Sequence, residues 1–492
     1  MGIIARQSIK ASIVGFIGIG IGAITTLFLL PKYLTKEEIG LINTIQRIAL
    51  LIYPFMVFGT IFTIRKYYLP FKQKNDGSDG GLFLSNVVIV LTTTLFCSLL
   101  YIVFNDDIIE YFKKSPLLFD YIYYPLYVAI SIVVFQLLVA LASAVQRITI
   151  PSLLSNTINR LFAMSVILIY AFVGLGLKDF IGLYLLGFYF LPLLLLLLYT
   201  ITKLNLNLEW VSFKRIRGNI SKVFSYNSFL FLSMASGIIV QSLATVMISS
   251  YKGLGDTAIY NIAFYIATFI EIPQRMLVQI SSPLISKDIE NNRWDSVKKL
   301  YQKSSENQMF VGFILLSLIW FNLDSIYAIM PNGEVYKHGY YVVFFLGMAK
   351  LIDLSFGLNK QIIEVAPYYR FNLIINLTLS VLVIVFNLIF IPLYGIIGAA
   401  FASFVAVTFV NISALLLVYV KSKMHPFTSK SVKFVLAACC LTLLNYFFLP
   451  SIGNPYSSIL VNSALVGIPI LLLAFKLNIL DDYLKLMRSK LS

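Results

Sequence analysis

A chain of 492 residues would ordinarily make about three soluble domains of roughly 150 residues each. The composition excludes that arrangement, because 59% of the residues are hydrophobic and only 12% are charged, against roughly 45–50% and about 25% in soluble domains. Disordered, collagen-like, disulfide-scaffold and ordinary soluble-enzyme classes fall away, leaving an all-α polytopic membrane protein. The net charge of +16, from 38 Lys and Arg against 22 Asp and Glu, would suggest nucleic acid in a soluble protein. In a membrane protein the same excess follows from the enrichment of Lys and Arg in cytoplasmic loops, so no nucleic-acid partner is expected. The cysteines Cys97, Cys439 and Cys440 lie in apolar runs without metal-ligand spacing, so neither disulfides nor zinc are expected.

A helix needs about 20 apolar residues to cross a hydrocarbon core roughly 30 Å thick. The run 11–30 follows Arg6 and Lys10, as a signal peptide would. It lacks a small-residue cleavage site and meets Lys32 directly, and is read as a retained first span. Runs 80–105 and 121–146 hold one span each. Residues 371–420 and 434–475 carry no charge and must each hold two spans, broken near Pro392–Gly395 and Pro450–Pro455. In all, about fourteen transmembrane helices are predicted, near 8–30, 39–63, 82–104, 119–145, 152–175, 180–202, 224–250, 257–284, 307–329, 339–362, 371–391, 395–420, 432–449 and 456–475. An even number puts both termini on one side. Loops on that side carry 27 of the 38 Lys and Arg, the opposite loops carry seven, and Arg47, Arg160, Arg275 and Lys350 fall inside spans. The bias predicts cytoplasmic termini.

Two longer cytoplasmic connectors alternate aromatic, aliphatic and basic residues at helical spacing. One carries Trp210, Phe213, Ile216 and Ile220, the other Trp294, Val297, Leu300 and Tyr301. Both read as amphipathic helices at headgroup level. The segment from Gly40 through Asn43 to Pro54 is echoed by Ala258 through Asn261 to Pro273, six spans later and in the same direction. That is a parallel repeat. The expected organisation is a six-helix lobe over 1–207, an amphipathic linker over 208–223, a second six-helix lobe over 224–424 related by a parallel pseudo-two-fold, and helices 13–14 with a tail over 425–492.

A cation at mid-bilayer costs roughly 2.5–3.5 kcal/mol on insertion scales, so it faces a cavity or a partner. Arg275 stands four residues after Glu271 and Lys350 three before Asp353, spacings that share a helix face. Arg160, beside Asn159, is close enough to the cytoplasmic end to snorkel. No acidic residue stands three or four positions from Arg47. These four cations are the candidate substrate-binding set, with Asn43, Gln46, Asn261 and Gln274 as polar lining and Glu271 and Asp353 as candidates for proton or ion coupling. A positive cavity suits a substrate carrying phosphate. Both histidines, His338 and His425, lie in loops, and no phosphate-binding glycine loop or zinc-protease motif is present. An ATP-driven pump, a metal site and a cofactor are therefore not expected, and the protein reads as a transporter rather than an enzyme.

The run Leu30-Pro31-Lys-Tyr-Leu34-Thr-Lys-Glu37-Glu38-Ile-Gly40-Leu-Ile-Asn43, followed by Pro54 and Gly59, resembles the first block of bacterial polysaccharide exporters. These are the Wzx-type flippases of the multidrug/oligosaccharidyl-lipid/polysaccharide (MOP) superfamily. Gly253-Leu-Gly-Asp256-Thr-Ala-Ile-Tyr260-Asn261, through Pro273 to Pro283-Leu-Ile-Ser286, resembles the second. The resemblance implies two six-helix lobes and alternating access. Its implied substrate is undecaprenyl-pyrophosphate-linked oligosaccharide, an O-antigen or capsule repeat unit, moved from the cytoplasmic to the outer leaflet. It also implies membrane lipids, a polymerase and glycosyltransferases as partners. Arg47 and Arg275 match, in span and lobe, arginines of the related lipid II flippases, which also have an apolar groove from spans 13 and 14. No arginine occurs in span 1 here, which favours a repeat-unit carrier over lipid II. The rival readings are a drug/cation antiporter of the same superfamily, a membrane-embedded polysaccharide polymerase, ligase or O-acyltransferase, and a non-transporting scaffold.

Overall fold

The computed structural model describes residues 17–74, 81–203, 220–450, 452–477 and 479. Among these residues every regular element is helical. The linker expected over 208–223 falls largely outside them, as do the start of the first span and the tail. Chain-internal contacts divide the protein into two compact units, Met1–Ala258 and Ile259–Ser492.

The first unit begins with α1 (Ile17–Tyr33). Then α2 (Lys36–Val57) opens on a capping box: the Thr35 hydroxyl accepts from the Glu38 amide at 3.3 Å, and the Glu38 carboxylate accepts from the Thr35 amide at 2.8 Å. Two orphan amides of the first turn are thereby satisfied. Pro54 weakens the far end of α2, and Phe58 and Gly59, both with positive φ, terminate it before α3 (Thr60–Lys74). The chain continues through α4 (Leu82–Val103), α5 (Tyr124–Ala144), α6 (Thr149–Val173), α7 (Leu177–Lys203) and α8 (Ile220–Tyr251). Helix α2 packs against α5 and α8, and α5 against α7.

The next helix, α9 (Leu254–Thr268), crosses the boundary between the units. It is followed by α10 (Ile272–Glu290), α11 (Trp294–Phe321), α12 (Leu323–Ile329), α13 (Tyr340–Ser355), α14 (Asn359–Val365), α15 (Arg370–Ser422), α16 (Ser429–Phe448) and α17 (Pro455–Lys476). Although continuous in hydrogen bonding, α15 is two helices joined at Gly395, whose φ of 59° and ψ of −135° no other residue type adopts readily. The expected span break falls there, and the second expected break falls between α16 and α17. One core cluster of the second unit packs α16 and α17 on α11 through Phe310, Phe313, Phe434, Val466 and Ile470. Inside that apolar contact, Asn462 donates to the Phe321 carbonyl at 3.2 Å and Asn322 to the Ser463 hydroxyl at 3.2 Å.

Nine described helices are long and apolar enough to cross a membrane, and two bent pairs, including α11 with α12, bring this to as many as eleven. The prediction of fourteen also counts α1, α9–α10 and both halves of α15 as crossings. The outward faces of the long helices are apolar: Phe172 on α6 is 80% exposed and Leu460 on α17 74%. Water does not tolerate such surfaces at this density, and lipid does. The chain is a multi-pass membrane protein.

The connector expected as a separate surface helix over 287–303 has a different structure. Helix α10 turns at Asn292 (φ 55°) straight into α11, and Val297 and Tyr301 are fully buried against Ile285, Leu358 and Ile362. Its apolar stripe meets protein rather than lipid. The helical periodicity was legible, but periodicity does not specify what covers the stripe.

Close backbone approach fixes one junction of the first unit. A Cβ on Gly40 would overlap the Leu254 carbonyl, whereas one on Gly20 would meet nothing within 4 Å. Gly40→Val should therefore destabilise the folded protein by about 1–3 kcal/mol, read as a lower unfolding temperature in detergent, while Gly20→Ala leaves that temperature unchanged.

Candidate functional site

Pro273 organises the first part of the site. Lacking an amide proton, it cannot continue the α9 hydrogen-bond ladder, and the chain takes a tight 3₁₀ turn over Phe269–Glu271 before α10 begins. Glu271 thus stands at the α10 N-cap, with Arg275 one turn along on the same face. Gly347 brings in the third member. A Cβ there would lie 2.6 Å from Leu316 and 3.2 Å from Ile270, so its absence lets α13 approach the turn. Lys350 follows one helical turn later. The Glu271 carboxylate accepts from Arg275 Nε at 3.0 Å through one oxygen and pairs with Lys350 Nζ through the other. Glu271 and Lys350 side chains are 20% and 26% exposed, Arg275 64%.

A second polar cluster adjoins it. Asp353 lies one turn beyond Lys350 and pairs with Lys360. It also accepts from Asn411 on α15 at 2.9 Å and from the Gln274 amide at 3.2 Å. Asn411 in turn accepts from Asn359 at 3.2 Å, and Asn359 accepts from the Lys360 backbone amide at 2.7 Å. Gln274, beside Arg275 on α10, is the link between the two clusters. Three cations therefore share two carboxylates, a net charge of +1 among groups set in apolar helices.

The sequence suggested that Lys350 and Asp353 would pair with each other. Instead Lys350 turns to Glu271 and Asp353 takes Lys360, because the bend after α13 changes what is near. Gly357 has φ +62°, and α14 leaves at 52° to α13. Seven residues along a straight helix would separate Asp353 and Lys360 by about 10.5 Å; the bend folds the lysine back onto the carboxylate. The sequence reading missed Lys360 as a site residue and counted it with the loop cations. It also missed Asn359 and Asn411, 1% and 0% exposed. The available signal was Asn411 itself, an amide in a charge-free run that must find a partner in hydrocarbon.

Asn261, on α9, is buried. In the first unit, Asn43, Gln46 and Arg47 are half-buried on α2. Asn43 donates to the Ile39 carbonyl of its own helix at 2.8 Å. Arg160 donates to the Gly18 carbonyl at 2.6 Å, where α1 meets α6 so closely that a Cβ on Gly18 would overlap the Asn156 backbone. Its guanidinium thus fastens α1. No group of three or more His, Cys, Asp or Glu that could hold a metal occurs among the described residues.

Removing one partner of a half-buried ion pair leaves a charge poorly solvated. Lys360→Met should lower the unfolding temperature, at a cost of about 1–3 kcal/mol, and Asp353→Asn in the same chain should recover most of that loss. Additive losses in the double variant would refute the coupling.

No protein-family model matches the chain, and no curated protein matches it in sequence. Solved structures do resemble it. The lipid II flippase MurJ, in an inward closed conformation, aligns with a TM-score of 0.73 at 15% identity, over 97% of this chain and all of that one. An inward-facing multidrug resistance MATE family transporter of the MOP superfamily gives 0.62 at 11% identity, covering 83% of this chain and 94% of its own. The Vibrio cholerae MATE transporter VcmN gives 0.55 at 13%, over 85% and 97%. At such identities the likeness is one of fold.

Proposed function

We propose that this protein is a flippase that moves an undecaprenyl-pyrophosphate-linked oligosaccharide, an O-antigen or capsule repeat unit, from the cytoplasmic to the outer leaflet by alternating exposure of its site to the two faces. The observation that carries this reading is the cluster of Arg275, Lys350 and Lys360 around two carboxylates, within a fold that a lipid II flippase shares along nearly the whole chain. A sugar head cannot enter hydrocarbon without losing hydrogen bonds to water, at a cost of several kcal/mol per unmatched group. A polar path across the membrane removes that penalty while the polyprenyl tail stays in lipid. In the second unit Arg275 and Lys350 would hold the diphosphate through charge-assisted bonds, the strongest that such groups make, with Asn261 and Gln274 as polar lining. In the first unit Arg47, Asn43 and Gln46 are the candidate groups for the same substrate. Glu271 and Asp353 are the acids through which a proton or ion gradient would act.

The MATE likeness supports a second reading, a drug or cation antiporter, and the charge count bears on it. A cationic cargo needs carboxylates to receive it, yet Glu271 and Asp353 are each engaged by protein cations. The set holds one cation more than it holds carboxylates, which favours an anionic cargo.

Arg47→Ala, Arg275→Ala and Lys350→Ala should each reduce surface polysaccharide at least tenfold in the native cell, with the protein present in the membrane at normal level. Undiminished glycan in all three variants rules out this function.

A further inference from the structure

Glu271 and Asp353 are held by different kinds of partner. Asp353 has one lysine and two amides, from Gln274 and Asn411. The described partners of Glu271 are cations, Arg275 on its own helix and Lys350 on α13. Arg275 gives its Nε to this contact while 64% of its side chain stays exposed. A guanidinium carries five N–H donors and an ammonium three, so both cations have donors beyond those Glu271 occupies.

We infer, on the basis of the proposed function, that Glu271 is a built-in stand-in for the substrate's diphosphate: its carboxylate occupies Arg275 and Lys350 in the empty protein and is displaced when the diphosphate binds. The exchange replaces one anion by another, so both cations keep a charge-assisted partner throughout. A diphosphate carries more charge and more acceptor oxygens than a carboxylate, which favours the exchange. A lone carboxylate or a neutral sugar carries too little charge to drive it. Glu271 would thus set a threshold that admits diphosphates and rejects weaker anions, and it would spare the empty site two bare cations. Asp353, tied by amides as well as a lysine, stays in place and keeps α10, α13 and α15 in register.

The test is titration of the full chain, in lipid nanodiscs at low ionic strength, with inorganic pyrophosphate. Glu271→Gln should bind pyrophosphate at least tenfold more tightly than the unaltered protein. Glu271→Asp, which keeps the charge but withdraws it by one methylene, should fall between them and serves if the glutamine variant does not fold. Adding Arg275→Ala or Lys350→Ala should abolish the gain. If the unaltered protein binds pyrophosphate through Arg275 and Lys350 but Glu271→Gln and Glu271→Asp bind no more tightly, the stand-in role is wrong and the proposed function survives. If no form binds pyrophosphate, both fall. Binding by the glutamine variant alone would support the role directly.

Discussion

A charge in hydrocarbon must be answered by another charge or by a ring of dipoles, and this requirement governs the interior of the second unit. Glu271 answers Arg275 and Lys350; Asp353 answers Lys360 with the help of Gln274 and Asn411. Each pairing demands that particular helices come close, and the small residues nearby serve that demand. Gly347 lets α13 reach the turn before α10, and Gly357 bends the chain so that Lys360 returns to Asp353. The apolar packing of α16 and α17 on α11 is extensive but unselective, because lipid would cover the same surfaces nearly as well. The polar pairings are what make one arrangement of α10, α13, α14 and α15 preferable to others.

The same logic separates the cations by what holds them. Arg160 is committed to the Gly18 carbonyl and holds a helix crossing. Arg275 is largely exposed and has one carboxylate oxygen on its Nε, the disposition of a group able to change partners. Burial and partner type, rather than depth in the span, distinguish the two. The sequence reports depth and spacing, which set Arg160, near the cytoplasmic end, and Arg47, without an acidic residue at helical spacing, apart from the other two, but not what each cation holds.

The fold was legible to a large degree. Hydrophobic runs of the right length located the spans, and glycine with proline marked the breaks, because membrane thickness imposes a length that soluble folds do not have. Helical spacing also brought Arg275 to Glu271. Partners across helices were not legible: Lys350 with Glu271, Lys360 with Asp353, and Asn411 with Asp353 join residues separated by bends and by other spans. The connector 287–303 shows the complementary failure, since an apolar stripe was correctly found but its covering was protein. Periodicity describes one helix at a time, whereas a site belongs to several.

The junction at Gly395 has a mechanical meaning. Two spans meet there through a single residue, and Gly398 is seated so closely on the Phe390 backbone that it has no room for a side chain. Most membrane hairpins carry a loop whose slack absorbs independent tilting of its arms; this one has none. The arm that leaves Gly395 carries Asn411 and so the carboxylate that Asn411 holds, which ties the angle at this junction to the polar cluster.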